Sequence, residues 1–133
     1  ERTVLVGSSL GGFYATWLAE RHGCRAVLVN PAITPDEGLE AWLGPQKNLY
    51  TGEPYELTRD HLAQMAALRV DRITRPDRYF LMHTTGDELL DWRIAVAKFE
   101  GARQRIVEGS DHGFAEFEHY LDEVLAFGDG APD

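Results

Sequence analysis

The stretch that decides the fold of this chain is residues 3–13, TVLVGSSLGGF, followed directly by YATWLAERH at residues 14–22. A short apolar, β-branched run ends on Gly-x-Ser-x-Gly and continues into a segment with helical spacing. Strand, tight turn and helix in that order are what a nucleophile elbow requires, with Ser9 at the centre of the turn. Because such a turn brings backbone segments close together, we expect side chains at Gly7 and Gly11 to collide with neighbouring backbone.

The same glycines are compatible with a plain strand-to-helix turn that binds a phosphate at the helix N-terminus. A P-loop would end on Gly-Lys-Ser/Thr, and a dinucleotide-binding turn would read Gly-x-Gly-x-x-Gly. Residues 7–13, GSSLGGF, contain neither pattern. The sequence therefore favours a serine nucleophile over a phosphate-binding turn.

Length and composition indicate one globular domain over residues 1–133, since 44% of the residues are hydrophobic and supply a single core. The net charge of -9, with 22 acidic against 13 basic residues, argues against nucleic acid or an anionic membrane as a partner. One cysteine cannot form an internal disulfide, and no stretch approaches the roughly 20 apolar residues that cross a bilayer. These features favour a cytoplasmic protein.

The chain continues as alternating helix and strand. Residues 13–22 are predicted to form a helix with Tyr14, Trp17 and Leu18 on its apolar side, ended by Gly23. Residues 25–30, RAVLVN, form a continuous apolar run that is typical of a buried parallel strand. Strand, helix and strand in this order predict a right-handed crossover in a mostly parallel sheet.

Residues 34–75 interrupt this alternation and are predicted to form a small cap-like insertion over the carboxyl edge of the sheet. Pro and Gly divide the segment into short pieces, with one helix expected from Thr58 to residue 68. Its large apolar side chains are candidates for an acyl pocket, and they would equally serve as the core of the cap: Trp42, Leu43, Leu49 and Tyr50.

The last part of the chain resumes the α/β pattern. Residues 78–84 predict a strand, 91–99 a helix and 103–108 an outer strand. A final helix is predicted over residues 115–127, followed by a loose tail at 128–133. The expected apolar face of that helix consists of Phe117, Tyr120, Leu121, Val124 and Leu125.

Three polar residues follow predicted strands and can therefore meet at the carboxyl edge of the sheet: Ser9, Asp87 and His112. A serine hydroxyl needs a base within hydrogen-bond reach, and the base needs a carboxylate to hold its tautomer. Hydrolases of the α/β type carry these groups in the order Ser, acid, His, which this chain follows.

Other assignments stay open at this point. His22, His61 and His119 fall on predicted helices and His83 falls inside a strand, where packed or solvated roles are usual. Asp91 is a second candidate for the acid, although the first turn of a helix favours a carboxylate for electrostatic reasons alone. Glu88 is a third, and Asp111 is expected to support the loop that carries His112.

The N–H of Leu10, directly after Ser9, is a predicted donor to the oxyanion of a tetrahedral intermediate. A second donor normally comes from a loop after an earlier strand, and no such strand precedes residue 3 in this sequence. We therefore expect an upstream segment to complete the site. Without that donor the turnover should fall by about 10²- to 10³-fold.

Residues 7–18, 29–32, 50–52, 85–91 and 108–114 together resemble the YqiA-like esterases, a bacterial branch of the α/β-hydrolases. The resemblance covers nearly the whole chain. It implies a three-layer α/β-hydrolase core and a small cytoplasmic esterase acting on short-chain acyl esters, with Ser9 as nucleophile, Asp87 as acid and His112 as base. It also implies an N-terminal strand ending in a His-Gly-Phe type segment, which is not in this sequence.

The predicted function is thus ester hydrolysis through an acyl-enzyme, which requires no metal or organic cofactor. The alternatives are a thioesterase or acyltransferase with the same three residues, and a non-catalytic, truncated hydrolase-like domain. An edge of the sheet left open before the nucleophile strand is expected to be covered by an oligomer contact or by an upstream segment.

Overall fold

The computed structural model describes residues 2–130 and divides the chain into two compact units. The sheet unit comprises the chain up to residue 33 and from residue 70 onward, and the hairpin unit comprises residues 34–69. The strands are β1 (Val4–Ser8), β2 (Arg25–Val29), β3 (Gly44–Lys47), β4 (Pro54–Leu57), β5 (Tyr79–Thr84) and β6 (Arg103–Val107). The α-helices are α1 (Leu10–His22), α2 (Pro35–Gly38), α3 (Arg59–Ala67), α4 (Trp92–Lys98) and α5 (Leu121–Gly128), with 3-10 turns at Glu40–Trp42, Pro76–Arg78 and Phe117–Tyr120.

The sheet unit is built on a four-stranded sheet in the order β1-β2-β5-β6, with every neighbouring pair parallel. All six residues of β5 are buried, as expected of a strand covered on both faces. The last three strands of this sheet lie within one residue of their predicted bounds. The predicted mostly parallel α/β sheet is therefore confirmed.

Helices cover both faces of the sheet and make three layers. On one face, Ala19 of α1 and Phe99 at the end of α4 pack with Leu81 of β5. On the other face, Phe127 of α5 contacts Phe80 of β5, with ring centroids 5.5 Å apart. Since the strands are parallel, all loops at their carboxyl ends open on the same edge, where the candidate site lies.

Helix α1 begins at Leu10, three residues earlier than predicted, and buries a different side. Its buried residues include Phe13, Ala15 and Ala19, whereas Tyr14 is exposed and Trp17 and Leu18 are half-buried. The predicted apolar side was wrong because the helix buries Phe13 together with small residues that allow a close approach to the sheet, while Tyr14 and Trp17 sit at its margin. Gly23 ends the helix as predicted, in a left-handed conformation with φ 71°.

The C-terminal segment also differs from the single predicted helix. Residues Phe117–Tyr120 form a 3-10 turn, and the α-helix begins only at Leu121. The tighter turn changes the phase of the apolar face, so that Leu121 and Leu125 are exposed and Phe127 is buried instead. Gly128 ends α5, and residues 131–133 of the predicted loose tail lie outside the described residues.

The hairpin unit contains an antiparallel pair of strands, β3 and β4, which sequence reasoning did not predict. Helix α3 begins at the predicted N-cap: Thr58 accepts a hydrogen bond from His61 N–H, and the His61 ring accepts one from Thr58 N–H. Arg69 holds the ends of the unit together through an ion pair with Asp36 at 2.6 Å. The predicted insertion extended to residue 75, but residues 70–75 belong to the sheet unit.

Among residues 2–130, no helix combines the length and the apolar character that crossing a membrane demands.

Candidate active site

Ser9 occupies the turn between β1 and α1 in a backbone conformation that is rare for a residue with a side chain, φ 55° and ψ -118°. Three backbone hydrogen bonds hold this turn. Ser9 N–H donates to the Val29 carbonyl at 3.0 Å, and the Ser9 carbonyl accepts from Gly12 N–H at 3.0 Å and Ala32 N–H at 2.9 Å. The strained conformation is therefore held by β2 and the loop after it.

Two glycines allow the turn to close. A β-carbon on Gly7 would lie 2.2 Å from the carbonyl oxygen of Gly11, and one on Gly12 would lie 2.6 Å from Cβ of Pro31. Gly11 itself has open space, since a β-carbon there would meet nothing within 4 Å. The prediction that a side chain at Gly11 would collide was wrong. The backbone of Gly11 is what a side chain at Gly7 would meet, and the second position that requires glycine is Gly12.

Asp87 lies in the loop after β5, with its side chain fully buried. Its Oδ1 accepts the N–H groups of Leu89 and Leu90, each at 2.8 Å, and its Oδ2 accepts from Nδ1 of His112 at 2.8 Å. Burial alone would raise the pKa of Asp87, but the hydrogen bonds from His112, Leu90 and Leu89 outweigh it and hold that pKa below its ordinary value. The carboxyl group is therefore an anion at neutral pH.

His112 connects this carboxylate to the serine. The ring lies in the loop after β6, with Nε2 2.9 Å from Oγ of Ser9 and Nδ1 facing Asp87. Because an ionised carboxylate only accepts hydrogen bonds, Nδ1 carries the proton of the neutral ring. Nε2 then has a free lone pair to accept the Ser9 hydroxyl. The structure thus brings Ser9, His112 and Asp87 into one hydrogen-bonded series.

The loops that carry Asp87 and His112 are fastened to each other. Gly86 N–H donates to the Gly109 carbonyl at 2.8 Å, and a β-carbon on Gly86 would lie 2.4 Å from the carbonyl oxygen of Ser110. Glu88, considered as a third candidate for the acid, instead accepts the backbone N–H of His112 at 3.1 Å. The position of the His112 imidazole therefore depends on the loop after β5 as well as on the loop after β6, which carries it.

The other candidates have different partners. Asp91 is the N-cap of α4, where its side chain accepts from Arg93 N–H at 3.0 Å. His83 is fully buried in β5, with Nδ1 2.9 Å from the Thr84 carbonyl. His61 caps α3, and the remaining two histidines are exposed, His22 and His119.

Leu10 is the first residue of α1, so its N–H belongs to the helix-terminal donors that have no partner inside the helix. Within residues 2–130 it makes no hydrogen bond, and no strand precedes β1. The predicted oxyanion donor is therefore available directly beside Ser9. Its role in a reaction remains a prediction.

The four side chains predicted to form an acyl pocket belong to the hairpin unit. Trp42 ends the 3-10 turn at Glu40–Trp42 and is 60% exposed, and Leu43 follows it. Leu49 and Tyr50 lie in the turn between β3 and β4 and are 96% and 97% exposed. Acyl binding by these residues stays a prediction.

Sequence reasoning missed Asn30 and Thr84, two buried residues at the carboxyl ends of β2 and β5. Asn30 donates to Asp87 and to Thr84, and Thr84 donates to the Asp111 carbonyl. Their position near the site could have been inferred, because a polar residue that ends a buried apolar strand lies at the edge where the loops of a parallel sheet converge. Their hydrogen-bond partners could not.

A serine in a strained strand-to-helix turn, an acid and a histidine after successive parallel strands, and helices on both faces define an α/β-hydrolase fold. The chain belongs to the family described as UPF0227, an uncharacterised protein family, whose model matches residues 1–129. This match confirms the resemblance to the YqiA-like esterases that the sequence motifs suggested.

Solved structures agree on the fold. A protein from Agrobacterium vitis S4, provisionally named a hydrolase, has a TM-score of 0.70 at 22% identity, covering 96% of this chain and 61% of its own. The esterase domain of a Rhodothermus marinus protein has a TM-score of 0.59 at 16% identity, covering 93% of this chain and 60% of its own. Est1E from Butyrivibrio proteoclasticus has a TM-score of 0.59 at 15% identity, covering 97% and 60%. The chain therefore spans about 60% of the length of these structures.

Proposed function

We propose that this protein hydrolyses short-chain acyl esters through an acyl-enzyme intermediate, with Ser9 as nucleophile, His112 as general base and Asp87 as the acid that orients the base. The observation that carries the proposal is the continuous series of hydrogen bonds from Ser9 Oγ to His112 Nε2 and from His112 Nδ1 to Asp87 Oδ2, at 2.9 and 2.8 Å. The first distance suits proton transfer from Ser9 to His112, and the second suits a hydrogen bond that holds the ring in place.

Acylation follows from this geometry. Ser9 Oγ attacks the carbonyl carbon of the ester while its proton passes to Nε2 of His112. The Asp87 carboxylate, held ionised, stabilises the imidazolium that forms. Leu10 N–H donates to the developing oxyanion. When the carbon–oxygen bond to the alcohol breaks, His112 returns the proton to the leaving oxygen.

Deacylation uses the same groups. Water gives a proton to Nε2 of His112 as its oxygen attacks the acyl carbon, and the proton then returns to Ser9 Oγ when the acid is released. A thioesterase or an acyltransferase would share the acyl-enzyme and differ only in the leaving group or the acceptor. The ester assignment rests on the family resemblance and on solved neighbours of the same fold that are named esterases.

A fluorophosphonate probe tests the proposal, because it reacts only with an activated serine. We expect stoichiometric labelling of the full-length protein, lost in Ser9→Ala and retained in Ser8→Ala, in which the neighbouring serine of β1 is removed as a matched control. Intact mass would measure the adduct. Labelling that survives Ser9→Ala, or a folded protein that does not label, would contradict the proposal and favour a non-catalytic domain.

Turnover separates the acyl donors. We expect p-nitrophenyl acetate to be hydrolysed with a higher kcat/KM than acetyl-coenzyme A, and Ser9→Ala to abolish both activities. The reverse ranking would replace the esterase by a thioesterase with the same mechanism.

A further inference from the structure

Asn30 has no assigned role, although it is a fully buried polar residue next to the candidate site. It directly follows β2, is 0% exposed, and has a positive φ of 44°. Asn tolerates this left-handed conformation better than other residues with a side chain, apart from Asp. Its backbone N–H donates to the Met82 carbonyl at 2.8 Å, which fixes Asn30 beside β5.

The side-chain amide of Asn30 reaches both loops of the candidate site. Its Nδ2 lies 2.9 Å from Thr84 Oγ1 and 2.9 Å from Asp87 Oδ2, with the carbonyl oxygens of Asp111 and His112 at 3.3 and 3.4 Å. Its Oδ1 accepts from Thr84 N–H at 3.2 Å. The amide orientation is determined by these partners, because Nδ2 faces only acceptors and Oδ1 faces a donor.

The contact with Asp87 involves the oxygen that matters for the base. Oδ2 of Asp87 faces both His112 Nδ1 and Asn30 Nδ2, while Oδ1 is occupied by Leu89 and Leu90 N–H. Donors thus approach both oxygens, so the carboxylate plane cannot rotate without breaking a buried hydrogen bond to a charged group. Removing the Asn30 amide would leave His112 as the only side-chain donor to Oδ2 among the described residues.

We infer that Asn30 is a positioning residue that sets the orientation of the Asp87 carboxylate and, through it, of the His112 imidazole. The inference rests on the proposed function. Asn30 touches no reacting atom. It acts by holding Oδ2 of Asp87 in line with Nδ1 of His112, and by contacting the backbone carbonyls of Asp111 and His112 in the loop that carries the imidazole.

Two variants that suit a positive φ test this role. Asn30→Gly deletes the amide, and Asn30→Asp keeps its shape while placing an acceptor against the Asp87 carboxylate. We expect the maximal rate of fluorophosphonate labelling to fall by roughly 10- to 100-fold in Asn30→Gly, and at least as much in Asn30→Asp, with the half-saturating probe concentration unchanged. Gln64→Glu makes the same amide-to-carboxylate change on the exposed surface of α3 and should label at the unsubstituted rate.

A spectroscopic readout separates this inference from the proposed function. The Nδ1 proton of His112, shared with Asp87, should give a resolved low-field NMR resonance that is lost in both Asn30 variants and retained in Gln64→Glu. In the unsubstituted protein the Asn30 amide protons should exchange with solvent as slowly as the backbone of β2, a measurement that requires no variant to fold.

The outcomes distinguish the two ideas. If the His112 resonance responds as expected and the protein does not label, the proposed function fails and the positioning role stands. The positioning role would be overturned if folded Asn30→Gly and Asn30→Asp label at the unsubstituted rate and keep the His112 resonance unchanged. Rapid exchange of the Asn30 amide protons in the unsubstituted protein would also overturn it.

Discussion

The backbone of Gly7 lies directly against that of Gly11, so that a β-carbon on Gly7 would come within 2.2 Å of the Gly11 carbonyl oxygen. The contact joins the end of β1 to the first turn of α1 on either side of Ser9. Neither backbone can move away, since β1 is paired with β2 and α1 packs on the sheet.

Gly7→Ala should therefore destabilise the protein by about 3 kcal/mol or more, which is the upper end of the range for substitutions that overpack a protein interior. The cost is high because the clash is with backbone rather than with a flexible side chain. Gly11→Ala is the matched control. Its β-carbon meets nothing within 4 Å, and Ala is favoured over Gly in a helix by about 1 kcal/mol. Urea unfolding of both variants checks this, and equal effects would contradict the geometry.

Asp87 and Asp91 provide a second matched pair. In Asp87→Asn the amide oxygen should keep the bonds from Leu89 and Leu90 N–H, so that the NH2 group replaces Oδ2 and faces Nδ1 of His112 as a donor. This disfavours the Nδ1–H tautomer, so we expect the rate of Ser9 labelling to fall by roughly 10³- to 10⁴-fold. Asp91→Asn should alter neither labelling nor stability appreciably, because Asn caps a helix about as well as Asp. A large loss of labelling in Asp91→Asn with little change in Asp87→Asn would reverse the assignment of the acid.

Local sequence signals were sufficient for the parallel sheet and for the loops that carry Ser9, Asp87 and His112. Each of these residues follows a predicted strand, and the carboxyl ends of parallel strands share one edge. The contribution of Asn30 was not predictable in the same way, since its four acceptors come from residues 84, 87, 111 and 112, far away in the chain. The meeting of those loops is a property of the assembled sheet.

Side-chain burial was harder to predict than strand order. The predicted apolar face of the C-terminal helix was correct for Phe117, Tyr120 and Val124 but wrong for Leu121 and Leu125, because a 3-10 turn at Phe117–Tyr120 changes the angle between successive side chains. In α1, Phe13 and four small residues are buried rather than Trp17 and Tyr14, because close packing of helix on sheet depends on size as well as on hydrophobicity. Periodicity alone contains neither piece of information.

The buried imidazole of His83 should make the protein sensitive to mild acid. The ring is fully buried, and its Nε2 has no hydrogen-bond partner among the described residues. Burial, which disfavours the imidazolium, lowers the pKa of His83 below its ordinary value despite an opposing hydrogen bond from the ring to the Thr84 carbonyl. The folded protein therefore keeps this ring neutral at pH values where the unfolded chain protonates it.

The sign of the pH dependence follows from proton binding. As the pH falls below about 6.5, His83 takes up a proton in the unfolded state while it stays neutral in the folded state. The free energy of unfolding therefore decreases from that pH down to the pKa of His83 in the folded state. His83→Leu should flatten this decrease, whereas His22→Ala, at an exposed histidine, should leave it unchanged. Urea unfolding between pH 5 and 8 measures the slope, and an unaltered slope in His83→Leu would disprove the link.

The free edge of β1 leads to a prediction about association. Among residues 2–130, β1 pairs with β2 on one side and with no strand on the other, and Val6 in its centre is 58% exposed. Unpaired backbone groups beside an apolar side chain favour pairing with a second chain. We propose that a polypeptide limited to these 133 residues self-associates through β1. The net charge of -9 opposes this contact, so the association should strengthen as salt screens the repulsion.

Val6→Lys tests the edge directly, because a charged side chain at the centre of an edge strand disfavours pairing with another chain. We expect Val6→Lys to shift the polypeptide toward the monomer in size-exclusion chromatography with light scattering. Val6→Thr is the matched control: it keeps a β-branched side chain without a charge and should leave the concentration dependence in place. A monomer at all concentrations and salt levels before any substitution would exclude association through β1, and association that persists in Val6→Lys would assign it to another surface.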